Sequence, residues 1–378
     1  MCNQTIDELD AFEQLNTIKI TFPDKIMPSI HCLGTGLVGS FVAKRLAING
    51  HLVYAHDIAP NSQLIGHKNI TIVEGDALEK IVDINKMPKF DLIVNMLPGD
   101  IGHEAMKILC SQNVKVVDLS FSEITPDNLI KDNKNKNSTV LWDVGIAPGL
   151  SNMLISIAHR RLGKLKLGEI RVGGNPIDKI GGWNYMAPFS PKDVIAEYTR
   201  PARVVRDSNI TVLKPLSERH DIQVSEKGQM EAFLTDGLRS ILTSIPATEL
   251  SEFTVRWPGH IQKYIDEFND GTLDYNQLLK DWKYDKNVKE FTWMEIIAIN
   301  HDGEMMKWTI SDEGANDGHS MARCTGLVTV FCIEEWLNNP DMLTKGIHAP
   351  EELDDETIER IINNIKSEDI VIEFECNF

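Results

Sequence analysis

The chain predicts an α/β protein: a doubly wound parallel sheet followed by a second α+β domain built on a largely antiparallel sheet. Three observations lead there. Between Pro28 and Gly149 short apolar strand-like runs alternate with helical stretches, the pattern of strands buried on both faces by crossover helices. The first of these runs passes into a helix through the glycine-rich stretch "GTGLVG". Beyond Gly149 the rhythm changes to longer strands joined by turns, and 378 residues are too many for one ordinary core.

Taken in order, residues 1–26 form an N-terminal extension, polar and acidic at first and then reading "TIKITFPDK", a short strand. Residues 27–148 form the first domain. "SIHCLGTG" is its first strand, and "SFVAKRLAING" is a helix closed by Gly50, whose missing Cβ suits the left-handed residue past a helix end. "HLVYAHD", "ITIVEGD", "FDLIVNMLP", "VKVVDLSF" and "STVLWDVG" supply five more strands, with "IGHEAMKILCSQN" a helix among them. Residues 149–319 form the second domain. "GEIRVGG", "ITVLKP" and "EFTVRWPG" read as strands, and "TWMEIIAINHDGEMMKWTIS" as a hairpin turned at Asp302-Gly303, a pair that accepts positive φ. Residues 320–378 predict a helical return onto the first domain, a long apolar helix in "SMARCTGLVTVFCIEEWL" and an acidic one in "PEELDDETIERIINNIK".

A net charge of −18 argues against a nucleic-acid partner, since phosphate binding needs a basic face. No window approaches the roughly 20 apolar residues of a membrane span, and the first residues lack the basic and apolar regions of a signal peptide; the expectation is a cytoplasmic protein without a membrane partner. Cys2, Cys32, Cys110, Cys324, Cys332 and Cys376 are scattered. Without the paired spacing of a zinc or redox motif they read as reduced thiols, five of them in the core, and no metal is expected.

Gly34, Gly36 and Gly39 spell G-x-G-x-x-G between a strand and a helix, with Thr35, Leu37 and Val38 filling the loop. The first glycine permits the tight turn, the second lets backbone approach a pyrophosphate, and the third allows close helix packing. Asp57 follows Gly39 by 18 residues at the end of the second strand. That context turns a weak motif into a Rossmann-type dinucleotide site. A carboxylate there accepts from both ribose hydroxyls and repels a 2′-phosphate, and no Arg or Lys follows in "IAPNSQ", so NAD is favoured over NADP. Asp76, ending the third strand, stands near the adenine or is a solvated loop carboxylate. The loops after later strands, at Leu97-Pro98-Gly99, Ser120-Phe121 and Asp143-Val144-Gly145, line the nicotinamide end.

Hydride transfer at a nicotinamide is commonly coupled to a proton transfer, which calls for a proton acceptor near these loops. Asp143, flanked by an apolar strand and "GIAPGLSN", is one candidate, with capping of its own turn as the alternative. His260 in "RWPGHIQ" is a second, expected to be accessible after a Pro-Gly turn; bulk water is a third. His319 carries the same reading with the same alternative, an ordinary surface histidine. Asn152 lies one turn into a helix opened near Pro148. In "EYTRPARVVRD", Ser190 caps a helix with Pro191 at its first position and Asp193 completing an S-x-x-D box. Pro201 ends that helix, because it disfavours the helical region at Arg200. Arg206 beside Asp207 reads as a solvated pair. Arg200 and Arg203 stand three apart in extended chain and face opposite ways, so one of them is expected to clamp a substrate carboxylate.

The stretches "GTGLVG", "DVGIAPGLSN", "RVGGNP", "EYTRPARVV", "EAFLTDGLRS", "RWPGHIQ" and "SMARCTG", running from Gly34 to Gly326, resemble the saccharopine dehydrogenase-like family, and within it the lysine 6-dehydrogenase branch. The resemblance implies a nucleotide domain interrupted by a substrate domain, and homo-oligomers, dimers or tetramers, formed through the latter. It implies oxidation of a C–N bond of a small amino acid, the lysine 6-amino group first, to an imine and then a semialdehyde. Tyr198, Thr199, Asn152 and Thr235 join the two arginines as substrate-binding residues in that reading. Asn175 in "RVGGNP" and the run "IDKIGGWNY" depart from the family pattern, which leaves the substrate open. Two other readings compete: a saccharopine-type or carboxyspermidine-type reductase joining an amine to a semialdehyde, and a nucleotide-binding sensor without catalysis.

Overall fold

The computed structural model describes residues 27–128 and 137–378, so the strand expected in "TIKITFPDK" lies outside the described residues. Six strands follow one another in the first part of the chain: β1 (Ser29–Leu33), β2 (Leu52–Asp57), β3 (Ile70–Glu74), β4 (Leu92–Asn95), β5 (Lys115–Asp118) and β6 (Thr139–Leu141). With β15 (Gly346–His348) they make a seven-stranded sheet in the order β15-β6-β5-β4-β1-β2-β3, and every pairing is parallel. Ile30, Cys32, Val94 and Val117 have no exposed surface, as strands covered on both faces require. Helix α1 (Leu37–Ile48) follows β1 and α2 (Gly99–Cys110) follows β4. The chain leaves β1 toward one side of the sheet and β4 toward the other, so a crevice opens beyond their carboxyl ends.

Helix α3 (Leu150–Leu162) leads into the second sheet. Its strands are β7 (Leu165–Pro176), β8 (Ala202–Arg206), β9 (Asn209–Leu213), β10 (His220–Val224), β11 (Gly228–Thr235), β12 (Ala247–Arg256), β13 (Glu290–Asn300), β14 (Met305–Asp312) and β16 (Val371–Cys376). The order is β10-β11-β12-β7-β13-β14-β16, with β8 attached to β12 and β9 to β8; only β12 and β7 run parallel. Helix α4 (Pro191–Thr199) precedes β8, and α5 (His260–Asn269) follows β12. Ser190 caps α4 by accepting from the Asp193 amide, and Arg200 is already extended at φ −79°, ψ 130°. The Asp193 carboxylate does not close the expected box. It reaches across to the Gly99 amide at the start of α2, 3.4 Å away. The arginine stretch itself became a strand, β8, because β12 and β9 take up its backbone groups.

Two more helices, α6 (Ser320–Asn338) and α7 (Asp355–Lys366), close the structure. α6 packs on α1 so closely that a Cβ at Gly326 would stand 2.4 Å from the Phe41 ring. The return is not purely helical, however. β15 extends the parallel sheet, and β16 goes back to the second sheet beside β14. Cys32, Cys110, Cys324 and Cys332 are buried free thiols, whereas Cys376 is exposed on the edge strand β16 and Cys2 lies outside the described residues. Among the described residues no helix is long and apolar enough to cross a membrane.

Candidate active site

A cavity of about 890 Å³ runs from the crevice of the parallel sheet to the face of the second sheet formed by β7, β12 and β11. At its first end lie Gly34, Gly36, Leu37, Val38 and Gly39, with Asp57, Asp76, Leu97 and Pro98. The glycines are required here by distance. A Cβ at Gly34 would stand 2.6 Å from the Met96 carbonyl oxygen, and one at Gly39 would stand 2.3 Å from that of Gly34. A Cβ at Gly36 would meet nothing within 4 Å, so this backbone faces open cavity. No side chain caps the N-terminus of α1 and its first turn holds no acid. Together these leave amide donors and helix dipole free for an anion.

Asp57 shapes the loop as well as lining the cavity. Its Oδ2 accepts from the Thr35 amide at 2.6 Å and the Thr35 hydroxyl at 3.1 Å. Thr35 therefore holds Asp57 from behind and does not itself line the cavity. Asp76 is spent partly on capping the following turn through the Leu78 amide at 2.8 Å. Ser120 also sits behind the wall, its hydroxyl donating to Asp118 Oδ1 at 2.8 Å. Burial pushes that Asp118 carboxyl up to about 7, against the hydrogen bonds from Ser120.

The second end of the cavity carries most of the charge. Alternate residues of β12, Glu252, Thr254 and Arg256, point into it together. Thr235 at the end of β11 joins them, its hydroxyl 3.1 Å from that of Thr254. Arg256 is buried, with Nε donating to the Tyr198 hydroxyl at 3.0 Å and Nη2 to Glu197 at 3.0 Å and the Tyr185 hydroxyl at 3.2 Å. Arg200 and Lys283 also line the cavity, and among the described residues neither forms an ion pair. The Arg200 guanidinium lies 5.5 Å from the Phe121 ring centre.

Arg203 is turned away from this space. Its Nε and Nη2 donate to the two oxygens of Asp236 at 2.9 and 2.8 Å, and its own amide adds a third bond at 3.0 Å. Opposite faces of an extended chain thus separate the two arginines, with Arg200 in the cavity and Arg203 in a structural pair.

Asp143 does line the cavity, at φ 57° in a left-handed conformation. Both its oxygens are taken by Arg239, whose Nε and Nη2 each donate at 2.9 Å. Burial penalises the Asp143 charge and the guanidinium opposes that penalty. A carboxylate held by two such bonds is a poor proton acceptor. Arg239 also donates to the Ser122 carbonyl, so the pair ties the loops of the first sheet to the second domain.

His260 is buried at 3% exposure rather than accessible, and is absent from the cavity wall. Its Nδ1 lies 2.8 Å from the Trp183 carbonyl oxygen, which can only accept, so Nδ1 carries the hydrogen. Its Nε2 then accepts from the Tyr198 hydroxyl at 2.8 Å. Burial and the Arg256 charge hold the imidazole down at about 3. The chain from Arg256 through Tyr198 to His260 is complete; it positions Arg256 in the cavity wall, while Tyr198 and His260 stand behind it.

Tyr198 belongs to that supporting layer. Thr199 is exposed and bonds only to carbonyls of its own helix at 3.4 Å. Asn152 is buried in α3, donating to the Ser240 hydroxyl at 3.1 Å. His319 precedes α6 and lines a second, smaller cavity of about 300 Å³. Asn175 donates to the Val255 carbonyl at 3.1 Å under the strands. Among the described residues no group of three His, Cys, Asp or Glu is placed to hold a metal ion.

Residues 145–371 match the family described as the saccharopine dehydrogenase C-terminal domain. Among solved structures, apo saccharopine dehydrogenase (L-Glu forming) from Saccharomyces cerevisiae is similar at a TM-score of 0.70 and 16% identity, covering 93% of this chain and 100% of that one. Homospermidine synthase from Legionella pneumophila, determined in complex with NAD, is similar at a TM-score of 0.63 and 14% identity, covering 93% of this chain and 92% of that one. The match to the family spans more than half the chain and takes in α3 and all but the last residues of the second sheet, so the chain belongs to the saccharopine dehydrogenase family.

Proposed function

We propose that the protein is an NAD-dependent dehydrogenase acting on the CH–NH group of an amino acid, with the lysine 6-amino group as the first substrate to test. One observation carries the reading. A single cavity joins an open glycine backbone and Asp57 at one end to Arg200, a cation that forms no ion pair among the described residues, beside Phe121 at the other. The first end fits a dinucleotide: Gly36 leaves room for a pyrophosphate against the N-terminus of α1, and Asp57 lies where ribose hydroxyls would donate. NAD when bound would supply a hydride acceptor at its nicotinamide. The second end fits a substrate that carries a carboxylate, because an unpaired guanidinium beside an aromatic ring offers two parallel donors to one.

The chain's own residues then have distinct tasks. Arg200, stacked near Phe121, orients the substrate through its carboxylate. The buried pair of Asp143 and Arg239 holds the roof of the site against the second domain. Arg256 and its tyrosines exclude water from the floor. A second reading, reductive joining of an amine to a semialdehyde, is favoured by likeness to two proteins named for saccharopine and homospermidine, both secondary amines.

Purified protein with NAD and a panel of amino acids at alkaline pH is expected to produce NADH absorbance with lysine or a close analogue. NADH oxidation only when an aldehyde and an amine are supplied together would favour the reductive reading. NADH binding without turnover in either direction would sink both and leave a nucleotide sensor.

A further inference from the structure

We propose that Glu252 is the catalytic residue that exchanges a proton with the substrate nitrogen, an inference that rests on the reading of this cavity as an amine-oxidising site. Glu252 projects from β12 into the cavity, is 5% exposed, and its Oε2 has no hydrogen-bond partner among the described residues. Its carboxyl lies over Gly237, where a Cβ would stand 1.5 Å from Oε1. The other cavity carboxylates near it are engaged. Asp143 is bonded to Arg239, Asp236 to Arg203, Glu197 to Arg256, and Asp193 to the Gly99 amide. Glu252 is therefore the acid on this part of the cavity wall that no cation or amide engages among the described residues.

Burial pushes this carboxyl up to about 8, and Glu197 of α4, Asp236 beyond β11 and Asp143 of the first domain add to the shift, opposed by Arg239. Such a group can work in both directions. In oxidation the ionised carboxylate takes a proton from the substrate ammonium, giving a neutral amine and a protonated Glu252. The C–H electron pair then leaves with its hydrogen as hydride to oxidised nicotinamide, and the carbon–nitrogen bond becomes an iminium. Water adds to that carbon, and loss of ammonium gives the semialdehyde. In the reverse direction the iminium carbon would take hydride from NADH when that is bound, and the protonated carboxyl then donates to the amine nitrogen. The ionised carboxylate thus serves oxidation and the protonated one reduction, with the balance between them changing near pH 8.

The test is the pH profile of kcat for amine oxidation in wild type, Glu252→Gln and Glu252→Asp. Wild type is expected to rise about tenfold per pH unit below pH 8 and then level. Glu252→Gln should lose this limb and fall about 10²- to 10⁴-fold in kcat, with KM little changed, while Glu252→Asp keeps a limb at a reduced rate. A wild-type limb retained in Glu252→Gln would overturn the assignment. Infrared difference spectra supply a readout that needs no turnover: a protonated carboxyl band should titrate near pH 8 in wild type and be absent from Glu252→Gln. A band titrating in the ordinary carboxylate range would also overturn it. Wild-type protein that turns over no amine would fail the functional reading instead.

Discussion

Arg200→Ala and Arg203→Ala should separate substrate binding from stability in two residues three positions apart. Arg200 lies in the cavity without a carboxylate partner, so its removal costs the fold little. It costs the substrate a charge-assisted contact, typically about 1.5–3 kcal/mol. At about 1.4 kcal/mol per factor of ten, that is about a 10- to 150-fold rise in KM. Arg203 is the opposite case. Asp236 has a side chain only 4% exposed, and losing the guanidinium strands that carboxylate in the interior. Because Arg203 itself is 32% exposed, the lower end of the usual cost applies, about 3 kcal/mol of stability. Steady-state kinetics across the amino acid concentration range, paired with urea unfolding of each variant, measures both quantities. Equal KM changes in the two variants, or a destabilised Arg200→Ala with normal KM, would refute the assignment of Arg200 as the clamp.

Other expectations follow from particular contacts. Asp57→Ala should weaken NAD about tenfold or more and relax the rejection of NADP, read by fluorescence titration with both reduced cofactors; an unchanged preference would remove Asp57 from the ribose. Gly39→Ala forces a Cβ toward the Gly34 carbonyl and should shift α1, costing about 1–3 kcal/mol in stability and most of the dinucleotide affinity. Arg239→Ala leaves Asp143 buried and unpaired and should destabilise by about 3–5 kcal/mol, checked by urea midpoint. His260 takes up a proton at about 3 when folded against 6.5 as its ordinary value, so the unfolded chain binds more protons between those limits. Stability from this residue is whole above pH 6.5 and falls by about 1.4 kcal/mol per pH unit below it, down to about pH 3. His260→Phe should flatten that slope in urea titrations between pH 4.5 and 7.5.

The first six strands of the parallel sheet were legible because each is an apolar run and the glycines beside them have local reasons to be there; β15, only three residues long, was not. β8, β10 and β11 were not, since these short mixed runs become strands only through their partners, β8 and β11 on β12 and β10 on β11. β16 was missed for the same reason: "VIEFEC" alternates weakly, and its identity depends on β14. In the site, spacing alone separated Arg200 from Arg203 but could not tell which one had a carboxylate behind it. Asp143 and His260 drew notice as isolated polar residues, yet both are consumed by partners far along the chain. Glu252 and Arg256 carried a signal that could have been used. In "EFTVRW" the residues Glu252, Thr254 and Arg256 alternate with Phe253 and Val255, and a polar row inside a strand buried on both faces marks a cavity.

The closing segments give the chain an order of completion. β15 is the outermost strand of the parallel sheet and β16 an outermost strand of the other, and each follows in chain order every strand of the sheet it joins. Until residues 346–348 emerge, β6 presents an open edge, and until residues 371–376 emerge, so does β14. Such edges invite pairing with other chains. A nascent polypeptide of this sequence therefore holds the β6 and β14 edges open until strands further along the chain arrive to pair with them.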